Sequence, residues 1–341
     1  MRVGVILPFS DPRADNRLLA DAMMKAAELA LFDSGKSDIL LMTADDAGSP
    51  GDAAAAAQKL LDQGAEIIIG PIFSGSVASV APLARDRGVP VLAFSTDRSV
   101  AGNGVYLLSF QPQSEVQRVI AFAASKGHKK FAAMIPGTAY GDVVEKSFRD
   151  AVAAAGGTVG DVEHFSPTAG TVMDPAAAVA KSDSDAILIA QGGSLLRAIA
   201  PTLSYDGIDA AKVQFLGTGL WDDPANAKEA LLAGGWFAAP QPSADAAFSD
   251  KYRNVFGVNP PQLAALAYDA VSLVAFLAPG KPYHRFTAAT LTDPNGFAGV
   301  DGIFRFNADG SIERGLAILA VEPSGFTVAD PAPTTFQPNG S

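Results

Sequence analysis

Residues 65–94, "AEIIIGPIFSGSVASVAPLARDRGVPVLAF", decide the fold class of this chain. Two short aliphatic runs, 66–71 and 89–94, flank an amphipathic segment at 77–87. Continuous apolar runs joined by a helical crossover are typical of parallel strands that are buried on both faces of a sheet. The stretch therefore predicts one strand–helix–strand unit of an α/β fold.

The same alternation of strand and helix patterns extends along the chain in both directions. Strands are predicted at 3–8, 39–44, 66–71, 89–94, 105–110, 130–136, 185–190 and 213–218. Helices are predicted at 17–32, 52–63, 77–87, 115–124, 142–155, 195–203, 244–256 and 261–277. The series restarts after residue 110, which predicts two lobes, each with a doubly wound parallel sheet.

The lobe boundaries follow from where the two series stop and start. We expect a multi-strand hinge near 111–112 and 238–242, with an N-terminal lobe of 1–111 plus 241–318 and a C-terminal lobe of 112–240 plus 319–330. The stretch "GIFRFNADGSIERGLAILAV" (302–321) predicts a hairpin that turns at "NADG". The Pro-rich end, 331–341, predicts a loose tail.

Composition and charge limit the classes of protein to which the chain can belong. Of 341 residues, 48% are hydrophobic and 18% charged, which favours a folded chain. The net charge of −11 opposes binding to nucleic acid or to anionic membranes. Cysteine is absent, so thiol catalysis and Cys-ligated zinc are excluded. No signal peptide is visible, but an exported protein also starts directly with a strand once its signal has been removed.

Motifs of enzymes are missing from the sequence. "FSGSV" is not a nucleophile elbow, no phosphate-binding P-loop occurs, and "GNGVYL" lacks the third small residue of a dinucleotide fingerprint. The three histidines lie far apart, and Asp45 and Asp46 are better interpreted as a helix cap than as paired catalytic acids. We therefore expect no enzyme activity, no metal site and no cofactor.

Candidate binding residues follow the predicted strands, because ligands of open parallel sheets lie beyond the carboxyl ends of the strands. Ser74 or Ser76 would cap a helix whose N-terminus suits a carboxylate, although a plain cap without a ligand has the same pattern. Tyr140 and Trp221 either contact a ligand or anchor their loops. The candidates are Ser10, Phe73, Ser74, Ser95, Thr96, Asp97, Tyr140, Gln191, Gly219 and Trp221.

Several motifs in a fixed order resemble the type I periplasmic binding proteins, in particular the leucine/isoleucine/valine-binding branch. They are "LPFSD", "KAAELALFDSG" (25–35), "DDAGSPGDAAAAAQKLL" (45–61), "AEIIIGPIFSGSVASVAPLARDRGVP" (65–90) and "AYGD". The resemblance covers about residues 2–322 and implies an exported periplasmic receptor, monomeric, that closes around a small polar solute in the cleft between its lobes. It also implies that membrane transporter subunits are the partners.

The resemblance assigns roles to some of the candidates, and the chain departs from the family at Asp97, at Gly219 and near "QGGS" (191–194), where the family's aromatic residue is missing. It implies that Ser74 and the loop of Ser95 to Asp97 receive a ligand carboxylate and that Tyr140 closes from the other lobe. Asp97 departs from the family's Thr, and its like charge disfavours an amino acid in the usual pose. The family's acid that pairs with the ligand ammonium falls at Gly219, and Asp222 is the nearby acid that would substitute for it.

A neighbouring group with the same fold offers a second hypothesis. The run "FSTDRSVAGNGVY" (94–106) resembles the penicillin-binding-protein activators, which act on cell-wall synthases through protein contact. For that group, Asp97 and Arg98 would form a structural pair that locks the loop. We therefore expect an extracytoplasmic solute receptor for an ABC-type transporter. The alternative is a regulator of cell-wall synthesis. We expect no nucleic-acid partner for either.

Overall fold

A computed structural model describes residues 1–167, 171–242, 244 and 246–336. The chain divides into two compact units. Unit 1 comprises Met1–Phe110, Pro242–Gly315 and the described residues from Thr334 onward, and unit 2 comprises Gln111–Gln241 and Leu316–Pro333. The functional lobes and their boundaries, as drawn from the sequence, stay a prediction. Residue 245 of the predicted helix 244–256 and residues 337–341 of the predicted tail lie outside the described residues.

Strands and helices alternate through most of the chain. The strands are β1 (Arg2–Leu7), β2 (Leu40–Asp45), β3 (Ile67–Ile69), β4 (Val91–Ala93), β5 (Val105–Leu107), β6 (Lys130–Pro136), β7 (Thr158–Phe165), β8 (Ala186–Ile189), β9 (Gln214–Gly217), β10 (Trp236–Ala239), β11 (Phe297–Gly299), β12 (Gly302–Phe306), β13 (Ile312–Arg314), β14 (Ala317–Glu322) and β15 (Gly325–Asp330).

The helices are α1 (Ala14–Ser34), α2 (Pro50–Asp62), α3 (Ser74–Asp86), α4 (Pro112–Ser125), α5 (Ala139–Ala154), α6 (Met173–Val179), α7 (Gly193–Tyr205), α8 (Ala246–Phe256), α9 (Ala264–Leu277) and α10 (Ala288–Leu291). Short 3₁₀ helices form at Arg98–Val100, Gly219–Trp221, Asn226–Lys228 and Ala230–Leu232. Among the described residues, none of the helices is both long enough and apolar enough to cross a membrane.

The main sheet of unit 1 has five parallel strands in the order β2-β1-β3-β4-β5. Successive side chains of a strand point to opposite faces, so both faces can be buried. Ile67 and Ile69 pack with α1 and α9, whereas Ile68 packs with α2 and α3. The run of three isoleucines is thus buried on both sides, as its uninterrupted apolar pattern predicts.

The sheet of unit 2 has seven strands in the order β15-β14-β10-β9-β8-β6-β7. The strands β7, β6, β8, β9 and β10 are parallel, and β14 and β15 add to them in antiparallel pairing. Helices α4 and α5 cover one face, and α6 and α7 cover the other. This sheet is therefore mixed, and its antiparallel edge was not anticipated from the sequence.

The predicted hairpin at 302–321 is only partly correct. Strands β12 and β13 pair antiparallel around the "NADG" turn, where Gly310 donates its N–H to the Asn307 carbonyl at 2.9 Å. The chain leaves the hairpin after Arg314, and β14 pairs with β10 in unit 2. A continuous apolar pattern does not show which sheet a strand joins, so the sequence merged two strands of different units into one hairpin.

Candidate functional site

In unit 1, three candidate serines lie at the same edge of the main sheet. The strands β1, β3 and β4 are neighbours, and Ser10, Ser74 and Ser95 follow their carboxyl ends. Ser10 is exposed, and its N–H donates to Asp45 at 3.2 Å. Ser95 is buried two residues after the end of β4. The edge that parallel topology reserves for ligands thus carries hydroxyl groups, as expected from the sequence.

The start of α3 differs from the predicted cap. Phe73 is the N-cap residue, because its backbone is extended and its carbonyl accepts the Val77 N–H at 2.9 Å. A phenyl ring cannot accept a hydrogen bond in the way a capping oxygen does, so no side chain of residue 73 satisfies the first N–H groups of the helix. Ser74 is the first helical residue and Ser76 is buried, so the prediction that either caps α3 is wrong.

Asp97 lies beside this helix start and is held by its own loop. Its N–H donates to the Ser95 hydroxyl at 3.1 Å, and its carboxylate accepts the Ser99 N–H at 2.9 Å as the cap of the 3₁₀ helix Arg98–Val100. Hydrogen bonds from the Ser99 side chain and backbone, and a weaker one from the Ser74 hydroxyl, lower the pKa of Asp97. Asp97 is therefore an exposed, ionised carboxylate close to the N-terminus of α3.

Arg98, Thr96 and Phe73 lie near the same edge of the sheet. Arg98 pairs with Asp309 of the "NADG" turn at 3.2 Å, so the predicted ion pair between Asp97 and Arg98 is wrong. Asp97 and Arg98 are adjacent and oppositely charged, but the guanidinium reaches the turn of another segment. Thr96 is exposed, and the Phe73 ring lies under the Arg13 guanidinium at 5.5 Å.

In unit 2, Tyr140 is placed by a tight junction between β6 and α5. The Thr138 side chain caps α5 by accepting the Gly141 N–H at 3.2 Å. A Cβ atom on Gly141 would lie 1.8 Å from the Pro136 carbonyl oxygen, so only glycine lets the helix start this close to the strand. Tyr140 then reaches across to share a hydrogen bond with the Thr218 hydroxyl at 2.9 Å, at the end of β9.

Glu115 joins Tyr140 and Thr218 at this edge of the second sheet. It lies in the first turn of α4, and one of its carboxyl oxygens accepts the Gly219 N–H at 2.8 Å. Glu115 is partly exposed as a residue, but burial of the carboxyl group raises its pKa to about 7, and the bond from Gly219 lowers it only in part. Burial and the charge of Glu115 also raise the pKa of Tyr140, whose hydroxyl stays protonated.

Trp221 is placed differently from the exposed loop tip that the sequence suggested. It is fully buried, its indole N–H donates to the Ile189 carbonyl at 3.0 Å, and its ring packs near Phe237. A Cβ atom on Gly217 would lie 2.2 Å from the indole, so glycine there makes room for the ring. Trp221 thus anchors the Gly219–Trp221 turn in the core, the alternative that its pattern left open.

Gln191 follows β8 but forms no hydrogen bond with any of the other candidates. Its amide donates to the carbonyl of the adjacent Gly192 at 3.1 Å. Asp222, the possible substitute for the family's acid, is exposed at the end of the Gly219–Trp221 turn. The structure therefore brings together Tyr140 and Gly219 through two residues that the sequence analysis missed, Thr218 and Glu115.

A signal for Glu115 was present in the sequence. It is an acid in the first turn of a helix that opens directly after the predicted hinge, three residues beyond Pro112. Its contact with Gly219 spans 104 positions, and such a distant pairing cannot be seen without the fold. Among the described residues, no group of three or more His, Cys, Asp or Glu could hold a metal ion.

The comparisons with known proteins identify the family. The model described as "Periplasmic binding protein" matches residues 1–326. This chain belongs to the periplasmic binding protein family. The predicted resemblance is thereby confirmed, and the family places the chain among extracytoplasmic, ligand-binding proteins. No curated protein sequence matches the chain.

Solved structures show the same fold along nearly the whole chain. A Rhodospirillum rubrum protein, provisionally described as a branched-chain amino acid ABC transporter, has a TM-score of 0.86 at 20% identity, with 96% of this chain and 99% of that chain covered. A leucine-binding protein from Thermotoga maritima has a TM-score of 0.67 at 19% identity, covering 97% and 98%.

A third structure shows that the fold accepts other solutes. The solute-binding protein of an ABC transporter from Rhodopseudomonas palustris, in complex with 3,4-dihydroxybenzoic acid, has a TM-score of 0.68 at 18% identity, covering 98% of both chains. At identities this low, the similarity supports the fold but does not show that this chain binds the same ligand. The predicted α/β fold with two sheet-containing parts, of the type I periplasmic binding class, is confirmed.

Proposed function

We propose that this protein is an extracytoplasmic receptor that binds a small, polar, amino-acid-like solute and presents it to an ABC-type transporter. The family match over residues 1–326 carries the proposal. The polar groups at the carboxyl edge of each sheet support it, because hydroxyl, carboxylate and backbone N–H groups are what a polar solute needs. Ser74 and Asp97 supply them in unit 1, and Glu115 and Tyr140 supply them in unit 2.

The proposed receptor has no enzymatic activity. Its polar side chains at these edges are paired as binding groups are: the Tyr140 hydroxyl with Thr218, and the Asp97 carboxylate with Ser99. Neither pair contains a histidine, the base that activates a serine nucleophile in the Ser–His arrangement. We further propose that the receptor is an exported monomer, with or without a lipid anchor. Its proposed partners are transporter subunits.

The alternative, a regulator that contacts a cell-wall synthase, stays a prediction from the sequence. Its basis was the resemblance of residues 94–106, and the ion pair of Asp97 and Arg98 that this resemblance implied does not form, because Arg98 pairs with Asp309 instead. No specific observation now favours the regulator over the solute receptor.

Thermal denaturation of the purified protein tests the receptor role. The panel contains the proteinogenic amino acids, γ-aminobutyrate, short carboxylic acids and hydroxybenzoates. A ligand at about 100 times its Kd adds about 2.7 kcal/mol to the free energy of unfolding, so we expect at least one solute to raise the Tm in a saturable way. The proposal fails if no solute raises the Tm and mass spectrometry finds no small molecule that is purified with the protein.

A further inference from the structure

The carboxyl group of Glu115 lacks a cationic partner within the described residues. It receives one hydrogen bond there, from the Gly219 N–H to Oε2, and no Lys, Arg or His lies within ion-pair distance of it. The acids at Asp97 and Asp309 differ, since hydroxyl and N–H donors or an arginine satisfy them. Glu115 thus has an oxygen, Oε1, that the described part of the protein does not use.

The chain makes space for this carboxyl group at a defined place. A Cβ atom on Gly219 would lie 2.9 Å from Oε1 and 3.3 Å from Oε2 of Glu115. The carboxyl group therefore occupies the volume that any larger residue at position 219 would need. Trp221, buried two residues later and bonded to the Ile189 carbonyl, fixes the turn that presents the Gly219 N–H. The position of the Glu115 carboxyl group is therefore fixed by Gly219, which leaves space for it, and by Trp221, which holds the turn.

A carboxylate with restricted access to water is costly unless it is paired. Removing a charge from water carries a large penalty, which a cation at close range offsets and a single neutral donor offsets only in part. The raised pKa of Glu115, about 7, is the expected result of this incomplete pairing. A ligand that carries a positive charge to Oε1 would complete the pair, and a ligand without one would leave the carboxylate unpaired.

We propose that Glu115 is the specificity-determining residue of this receptor and that it selects solutes with a positively charged nitrogen. The nitrogen binds at Oε1, over the Cα atom of Gly219. The Tyr140 hydroxyl, already bonded to Thr218, belongs to the same cluster and is close enough for the Glu115 charge to act on it. This inference rests on the proposed receptor function, and it names amines and amino acids over plain carboxylic acids such as benzoates as the ligand class.

The structural alternative is that Glu115 only anchors the Gly219–Trp221 turn. Glu115→Gln separates the two roles, because the glutamine carbonyl can still accept the Gly219 N–H while the charge is removed. The matched control is Asp142→Asn. Asp142 is also an acid in the first turn of a helix of unit 2, but it is exposed.

Calorimetric titration with paired probes tests the inference. The pairs are L-leucine with 4-methylpentanoate, γ-aminobutyrate with butyrate, and L-phenylalanine with 3-phenylpropanoate, together with any other solute that raises the Tm. We expect the solutes that bind to carry a protonated nitrogen. We also expect Glu115→Gln to weaken their binding by at least about 30-fold, because it removes one partner of a largely desolvated charge pair, while Asp142→Asn binds as the wild type does.

Two results would overturn the role of Glu115 and leave the receptor function standing. One is a solute without a positive charge that binds as tightly as, or more tightly than, its amine partner. The other is a bound amine whose affinity is unchanged in Glu115→Gln. A panel in which no solute binds, together with no small molecule that is purified with the protein, contradicts the receptor function itself, so the two failures are distinguishable.

Discussion

Two carboxyl groups near the carboxyl edges of the two sheets have opposite environments. Asp97 in unit 1 is exposed, caps the 3₁₀ helix Arg98–Val100, and has a pKa that Ser99 lowers. Glu115 in unit 2 has one backbone donor, and burial raises its pKa to about 7. The two carboxyl groups differ in the number of hydrogen-bond donors around them and in their access to water. These differences, and not the type of acid, decide which carboxyl group already has its hydrogen-bond partners.

The difference assigns separate tasks to the two acids. Asp97 is stabilised by its own loop and stays charged whether or not a solute is present, so its main effect is to keep an anion near the start of α3. Glu115 is stabilised incompletely, so a solute can change its state. The sequence analysis treated the charge of Asp97 as the feature that decides the ligand, whereas the structure directs attention to Glu115.

The largest expected effect comes from Trp221→Ala, which removes the anchor of the turn that carries Gly219. Truncation of a fully buried tryptophan typically costs about 3–5 kcal/mol of the free energy of unfolding. Urea denaturation measures the loss, with Tyr205→Ala as the control, since Tyr205 is an exposed aromatic residue of the same unit. A loss below about 1 kcal/mol in Trp221→Ala would contradict the core role of the indole.

The next effect is on the pH dependence of stability, through Glu115→Gln. The pKa of Glu115 in the folded state is above its unfolded value, so the unfolded chain holds fewer protons between about pH 4.5 and 7 and stability falls as the pH rises through this range. Glu115→Gln removes this contribution.

We expect the decrease in the free energy of unfolding between pH 5 and pH 8 to be smaller in Glu115→Gln than in the wild type, by up to about 3 kcal/mol. Denaturation at both pH values measures it, and Asp142→Asn is the control. Equal decreases in the wild type and Glu115→Gln would show that the carboxyl group is not enclosed in solution.

The smallest effect is expected from Asp97→Ala, which removes a satisfied acid. The loss of a capping carboxylate on a short 3₁₀ helix should cost about 0.5–1 kcal/mol at pH 7. The pKa of Asp97 is lowered on folding, so its contribution is present above the unfolded pKa and is lost as the pH falls through the folded value.

Urea denaturation of Asp97→Ala at pH 7 and near pH 3 checks this prediction, with Thr96→Ala as the control at the neighbouring exposed position. The difference from the wild type should decrease at the lower pH. A destabilisation as large as that of Trp221→Ala would mean that the loop depends on Asp97 far more than its exposure indicates.

The sequence predicted the fold well where local patterns carry the information. The isoleucines of β3 and the Ala-rich helices that flank it have periodicities that follow directly from burial on one or two faces. Strand β14 was joined to the wrong partner strands in the predicted hairpin, because its pairing with β10 depends on residues about 80 positions away. The candidate residues at strand ends were found by the same topological rule.

The contacts within the candidate site could be recognised only once the fold was known. Tyr140 was found as the aromatic of a Gly-containing loop, but its partner Thr218 lies 78 positions away. Glu115 was missed for the same reason, and the buried Trp221 could not be distinguished from an exposed loop aromatic by its neighbours in the sequence. The sequence thus predicted the edge of each sheet where the polar groups lie, and the structure identified which of them are in contact.

The central claim is that Glu115 and Asp97 have carboxyl groups with opposite pKa shifts, and a side-chain carbon-13 NMR titration of the ligand-free protein tests it most directly. Signals are assigned with Glu115→Gln and Asp97→Asn. We predict that the Glu115 carboxyl titrates at about pH 7 and that Asp97 titrates below its ordinary range. A Glu115 that titrates near 4.5, as a solvated glutamate does, would contradict the account.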